Sequence, residues 1–244
     1  MEYLRLFKDF GSYDPYELMM IPQNKKAEII MRECGKYEPN LNLVSDLIIL
    51  GANLEYQDNR GWSALHFAVF SDCNKIAQIL IDAKVDLDIQ DDWGRTALYF
   101  AAIGNTEIVR MLIDAGANLD IQDKSGYTPL HKATKGNFSE IVRMLIDSGT
   151  NVNLKDDWGR TALHIATYYN QIQIARILIE AGVKLDLQDQ DGKTVLHYVS
   201  EWPNRPEIAQ MLIEAGARKD IRDNDGQLPY DLADTLMMKR MLNP

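Results

Sequence analysis

Four histidines, His66, His131, His164 and His197, and two cysteines, Cys34 and Cys73, are the side chains from which a catalytic or metal centre would be built. A histidine can serve as general base or metal ligand, and a cysteine thiolate as nucleophile. Asp-x-Asp-Gly occurs at Asp189 to Gly192 and again at Asp223 to Gly226, which raises a calcium loop. Such a loop needs an acid five residues before its glycine and a glutamate six after it. Those places hold Leu187 and Ile221, then Tyr198 and Leu232, so the spacing rejects calcium. The cysteines form neither a CxxC motif nor a disulfide framework, and Cys73 reads as a small residue in a turn. No Gly-x-Gly-x-x-Gly, P-loop or His-Glu-x-x-His is present. Asn137-Phe138-Ser139 matches a glycosylation sequon by chance.

The histidines lose their catalytic reading once the chain is tested for internal repeats. Gly61, Gly94, Gly126, Gly159, Gly192 and Gly226 recur at intervals of 33, 32, 33, 33 and 34 residues. Gly51, Gly116, Gly149, Gly182 and Gly216 follow in phase, with Lys84 standing in once. Asp-x-x-Gly-x-[Ser/Thr]-x-Leu-His surrounds the first set and Ile-Leu-Ile-[Asp/Glu]-Ala-Gly the second. The aspartate and glycine are turn chemistry, and Ser63, Thr96, Thr128, Thr161 and Thr194 are placed to N-cap a short helix. That helix carries Leu130 and Ala133, or Leu163 and Ala166, on its inner face. A second helix, Glu140 to Ile146 in one copy, has apolar residues at helical spacing and ends near Gly149. One such pair cannot bury its apolar face alone, so neighbours must stack. All four histidines hold one repeat position, which lines them up one per unit instead of converging on a metal or a nucleophile. No catalytic residue, metal or cofactor is expected.

Thr128-Pro129-Leu130-His131-Lys132-Ala133 is the full form of a signature that recurs as Ser63 to His66, Thr96 to Tyr99, Thr161 to His164 and Thr194 to His197. By it the chain resembles the ankyrin-repeat family. The resemblance implies an all-α solenoid of helix–turn–helix units with β-turn or hairpin fingers. It predicts about five full repeats, near 58–90, 91–122, 123–155, 156–188 and 189–222, with degenerate capping repeats at both ends of the array 39–244. Residues 223–244 are the C-terminal cap, and 1–38 an N-terminal extension or capping helices. Repeat two lacks one residue after Ala101, and repeat five gains one around Trp202 to Pro206. The resemblance further implies that the histidine bonds within the turn and ties neighbouring repeats together.

Recurring positions are scaffold, and varying ones are free for function. The resemblance implies that binding uses the finger tips and the exposed side of the first helix, lining a concave groove. At those places stand Arg60, Trp62, Phe70, Trp93, Arg95, Tyr127, Trp158, Arg160, Tyr168, Tyr169 and Trp202, including all four tryptophans of the chain. Trp, Tyr and Arg dominate protein–protein hot spots. Arg95 and Arg160 are expected to pair with a partner's carboxylates or carbonyls.

The 244 residues are 46% hydrophobic and 25% charged, an ordinary globular balance. A net charge of −10 disfavours nucleic acid and anionic membrane as partners. The acidic first residues do not look like a secretory signal, and no apolar run approaches the length of a membrane span. The expectation is therefore a cytoplasmic, non-enzymatic, monomeric module that binds another protein. Its alternatives are an immunity or inhibitor protein that neutralises one toxin or enzyme, and a pathogen effector that binds host proteins.

Overall fold

The computed structural model describes residues 15–202 and 205–243. Every regular element among them is a helix. Three N-terminal helices, α1 (Pro15–Met20), α2 (Gln23–Cys34) and α3 (Leu41–Ile49), precede the periodic pairs. The pairs are α4 (Ala64–Phe70) with α5 (Asn74–Asp82), α6 (Ala97–Ala101) with α7 (Thr106–Asp114), and α8 (Pro129–Lys135) with α9 (Ser139–Asp147). Next come α10 (Ala162–Tyr168) with α11 (Ile172–Glu180), and α12 (Val195–Ser200) with α13 (Pro206–Glu214). The short α14 (Pro229–Leu232) and α15 (Leu236–Leu242) close the chain. The helices fall into two compact units, one running through residue 101 with 107–118, the other comprising 102–106 and 119 onward.

Local chemistry fixes each pair. Ser63, Thr128, Thr161 and Thr194 stand at the N-caps of α4, α8, α10 and α12, each in a capping box whose third helical residue is a histidine. The second helices are amphipathic: α9 buries Ile141, Val142 and Leu145, and α11 buries Ile174, Ala175, Ile177 and Leu178. Removing such side chains from water contributes roughly 1.5–3 kcal/mol each.

In the first unit, α2 and α3 form one more helix pair that packs on α4. Ala27, Ile30, Met31 and Cys34 of α2 are buried. Burial pushes the Cys34 thiol up to about 12, which makes it a core residue and no nucleophile. Cys73 sits half-buried at the start of α5. Of the N-terminal extension expected at 1–38, the first fourteen residues lie outside the described ones.

The fingers are β-turns: no strand occurs among the described residues. In the first unit the Asp58 amide donates to Trp62 O (2.9 Å) and Gly61 N to Asp58 O (3.0 Å). One Asp58 carboxylate oxygen accepts the amides of Arg60 and Trp62. Successive fingers are joined by a backbone bond, Asp92 N to Arg60 O in the first unit, and Asp157 N to Ser125 O and Gln190 N to Trp158 O in the second.

This stacking explains the finger glycines. Gly159 has φ +78°, and a Cβ there would sit 2.8 Å from Gln190 N. Gly226, in the last finger, has nearly the same φ (+77°), but a Cβ there would meet nothing within 4 Å. Gly226→Ala is therefore expected to cost only the left-handed strain, about 1 kcal/mol. Gly159→Ala adds overpacking against backbone, for a total of about 2–4 kcal/mol. Urea unfolding of both variants measures the difference, and equal losses would show that the fingers do not stack tightly. Lys84, the exception in the second glycine set, takes the same left-handed region at φ +61°.

Candidate interaction face

The turn aspartate organises each finger. Its one oxygen holds two backbone amides, and the other is free to take a side-chain donor. In the first unit Asp91 uses that second oxygen for Arg95, with Nε at 2.8 Å and Nη2 at 2.6 Å, and for the Trp62 indole N–H at 3.2 Å. Burial opposes the charge of Asp91, but Arg95 and the amides of Arg95 and Trp93 outweigh it and hold the carboxyl below its ordinary range. The same guanidinium lies 4.6 Å from the ring centres of both Trp93 and Phe100.

Trp62 departs from expectation. Its ring meets Phe67, Phe70 and Phe100 edge-on at 5.0–5.2 Å, Arg60 covers it at 4.5 Å, and only 6% of it is exposed. It is the floor beneath Phe70 and Phe100, not a surface anchor, because its indole N–H is drawn inward to Asp91. Phe70 and Trp93 remain open to solvent.

The second unit repeats the scheme. Arg160 donates through Nε to Asp156 (2.9 Å) and through Nη2 to the Tyr127 hydroxyl (2.7 Å), and it stacks on Trp158 at 4.9 Å. Tyr127 meets Trp158 edge-on at 6.1 Å. Arg95 and Arg160 thus bind Asp91 and Asp156 within their own fingers. Each guanidinium also stacks on its finger's tryptophan, Arg95 on Trp93 and Arg160 on Trp158. Farther along, Tyr168 and Tyr169 cross at 5.0 Å, and Tyr168 contacts Tyr198, whose hydroxyl donates to Asp189 (2.7 Å). Lys193 pairs with Glu201.

Arg205 is a residue that the repeat pattern does not reveal. It sits in the loop 201–205 between α12 and α13, longer than the three-residue loop between α10 and α11. Pro203 and Asn204, part of the inserted stretch, lie outside the described residues. Arg205 stacks on Trp202 at 5.2 Å and donates to Thr167 O and Tyr168 O, both at 2.6 Å, at the C-terminal end of α10. Trp93, Trp158 and Trp202 are 49%, 50% and 47% exposed, so in each case one ring face lies against a guanidinium while about half of the side chain is open to solvent.

The histidines do structural work. Each Nε2 faces a backbone carbonyl of the next finger: His66 to Arg95 O in the first unit, and His131 to Arg160 O, His164 to Lys193 O and His197 to Gln227 O in the second, at 3.0–3.3 Å. A carbonyl only accepts, so Nε2 carries the proton, and Nδ1 accepts the backbone amide of its own capping Ser or Thr. Among the described residues no group of three or more His, Cys, Asp or Glu is arranged to hold a metal ion. No helix among them is long and apolar enough to cross a membrane.

A family model described as ankyrin repeats (3 copies) matches residues 30–123, 71–156 and 148–223. Neurogenic locus notch homolog protein 1 of Danio rerio is 34% identical over 71 residues, which are 29% of this chain; the chain spans 3% of that protein's length. Among solved structures, the ankyrin repeat domain of Bcl-3, a member of the IκB protein family, superposes with a TM-score of 0.81 at 23% identity, covering 88% of this chain and 97% of that one. The ankyrin repeat domain of human ASB11 gives 0.70 at 24% identity, over 88% and 95%. At these identities the structural likeness shows the fold alone.

Proposed function

The chain belongs to the ankyrin-repeat family, whose repeats are protein–protein interaction modules, and from that premise we propose that it captures a partner protein on the exposed aromatic side chains of its fingers and first helices. The observation that carries this reading is the half-exposed tryptophan clamped on one side by an arginine that is itself neutralised by its finger's aspartate, seen at both Trp93 and Trp158. A ring held this way loses little rotational freedom on binding, which lowers the cost of association. Large apolar surface left exposed on a rigid frame marks interaction sites. The proposed contact residues are Phe70 and Trp93 in the first unit, with Arg60 and Arg95 as supports and Trp62 beneath them, and Tyr127, Trp158, Tyr168, Tyr169 and Trp202 in the second, with Arg160 as support. The free thiols Cys34 and Cys73 accord with a reducing, cytoplasmic setting. The histidines serve the scaffold, and the assigned role needs no catalytic group.

The test replaces Trp93 and Trp158 together by alanine and compares proteins recovered on the wild type and on the variant. Partner capture is expected to fall by at least about a hundredfold, the sum of two hot-spot losses. The melting temperature should stay within a few degrees, because both rings are half-exposed. A variant that binds normally, or one that unfolds, sinks the reading, since the rings would then be scaffold.

A further inference from the structure

Two cations on the finger and first-helix side of the second unit are held by carboxylates of their own repeat, and Arg205 is held differently. Arg160 has Asp156 at 2.8 Å, and Lys193 has Glu201. In the first unit Arg60 and Arg95 likewise have Asp58 and Asp91. Arg205 has no carboxylate within salt-bridge distance among the described residues; its two bonds go to the backbone carbonyls of Thr167 and Tyr168. A guanidinium carries five N–H donors, so three are left over among the described residues. Glu201, the carboxylate that acts on it, is engaged by Lys193. Burial lowers the Arg205 pKa in spite of Tyr168 and Glu201, as expected of a partly desolvated cation.

Exposed rings accompany this cation. Tyr168 ends α10, the helix whose last carbonyls Arg205 holds, Tyr169 caps it, and Trp202 lies under the guanidinium. Trp202 and Arg205 both flank the stretch where repeat five departs from the period. Scaffold demands explain the recurring residues, and they do not call for an inserted tryptophan and an unpaired arginine at one place.

We propose that Tyr168, Tyr169, Trp202 and Arg205 bind an acidic linear segment of the partner protein, seating an aromatic or aliphatic side chain on the rings and an adjacent carboxylate on Arg205. The inference rests on the partner-capture reading and narrows it to a partner class and to repeats four and five. Charge complementarity selects this class: a basic segment would face an uncompensated guanidinium, and a neutral one would leave it desolvated without a counter-ion. A carboxylate meets the remaining donors as a charge-assisted, bidentate pair. The net charge of −10 makes the preference a local property that the whole-chain charge would oppose.

The probe is a random peptide library displayed on phage and panned over the full chain. The expected consensus places Asp or Glu beside Trp, Phe, Tyr or Leu. A synthetic peptide of that consensus should bind about tenfold more weakly to Arg205→Gln and to Trp202→Ala, and replacing its Glu by Gln should cost the same factor. Peptide and Arg205→Gln changes combined should cost no more than either alone, and affinity should fall as salt is raised. Arg205→Lys, which keeps the charge, should retain part of the affinity and guards against loss through misfolding. A neutral or basic consensus overturns the proposal, as does an acidic peptide indifferent to Arg205→Gln, and so does the absence of any enriched peptide. Neutral or basic binders that still depend on Trp158 would overturn the acidic class alone and leave partner capture standing, whereas partner capture itself fails only in the Trp93 and Trp158 experiment.

Discussion

His164→Ala is expected to lower the folding free energy by about 3–5 kcal/mol, the size seen when a buried side chain is removed along with its hydrogen bonds. The ring is fully buried on α10. Its Nε2 reaches Lys193 O at 3.3 Å, its Nδ1 accepts Thr161 N at 3.2 Å, and it meets the Tyr198 ring edge-on at 5.4 Å. Alanine leaves the Lys193 carbonyl and the Thr161 amide without these partners and opens a cavity next to Tyr198. Because the lost bond joins repeat four to the finger of repeat five, the damage falls on an interface between neighbours, the term that makes a repeat array cooperative. Urea unfolding should therefore show both a lower midpoint and a broader or split transition. Trp158→Ala in the neighbouring finger is the control and should change stability little. A loss below about 1 kcal/mol for His164→Ala would mean that the bridge is dispensable and that apolar burial and the finger-to-finger backbone bond join the repeats.

The residues that the sequence made legible are those whose role is set inside one repeat or by its identical neighbour. The histidines belong here, since a position repeated four times in phase must be satisfied by the same geometry four times. The capping Ser and Thr, the finger glycines and the apolar stripes of the second helices follow the same logic. Trp62, Arg95 and Arg160 were not legible to the same depth. They stand at one repeat position, four residues after the turn aspartate, and whether such a side chain faces solvent depends on whether it bonds its own finger's aspartate, as Arg95 and Arg160 do, or that of the next finger, as Trp62 does. At Asp91 both Trp62 and Arg95 bond the same oxygen, which pulls the indole inward and turns the guanidinium sideways onto Trp93. The aromatic and basic residues that share this position, Trp62, Arg95, Tyr127, Arg160 and Lys193, carried a hint of that competition. Arg205 was invisible for a different reason. It lies beside an insertion, off the period, and its partners are backbone carbonyls that no residue pattern can announce.

Acidification from pH 7 to pH 4 is expected to destabilise the array in a way that these bridges dictate. Burial is the largest cause lowering the pKa of all four histidines, and it takes His164 to about 4 from the ordinary 6.5. The bonding adds a reason: a second proton would have to go on Nδ1, which already faces an amide N–H. The folded pKa lies below the unfolded one, so between the two the unfolded chain binds the proton and the folded chain refuses it. Stability from this source is complete above about 6.5 and is lost progressively as the pH falls toward 4. For His164 alone the loss is about 3 kcal/mol, from about 1.4 kcal/mol per pKa unit, and His66, His131 and His197 act in the same direction. Asp58 and Asp91, whose carboxyls are held below their ordinary range, withdraw their contribution only at lower pH, as protonation loosens the fingers. Thermal melts at pH 7, 5.5 and 4 should show the midpoint falling mainly across the histidine window. His164→Gln, which lacks an ionisable ring, should flatten part of that slope whatever it does to stability at pH 7. A wild-type midpoint that stays level down to pH 4 would show that the bridging histidines accept a proton without losing their carbonyls, and the stacking account built on their neutral form would fail.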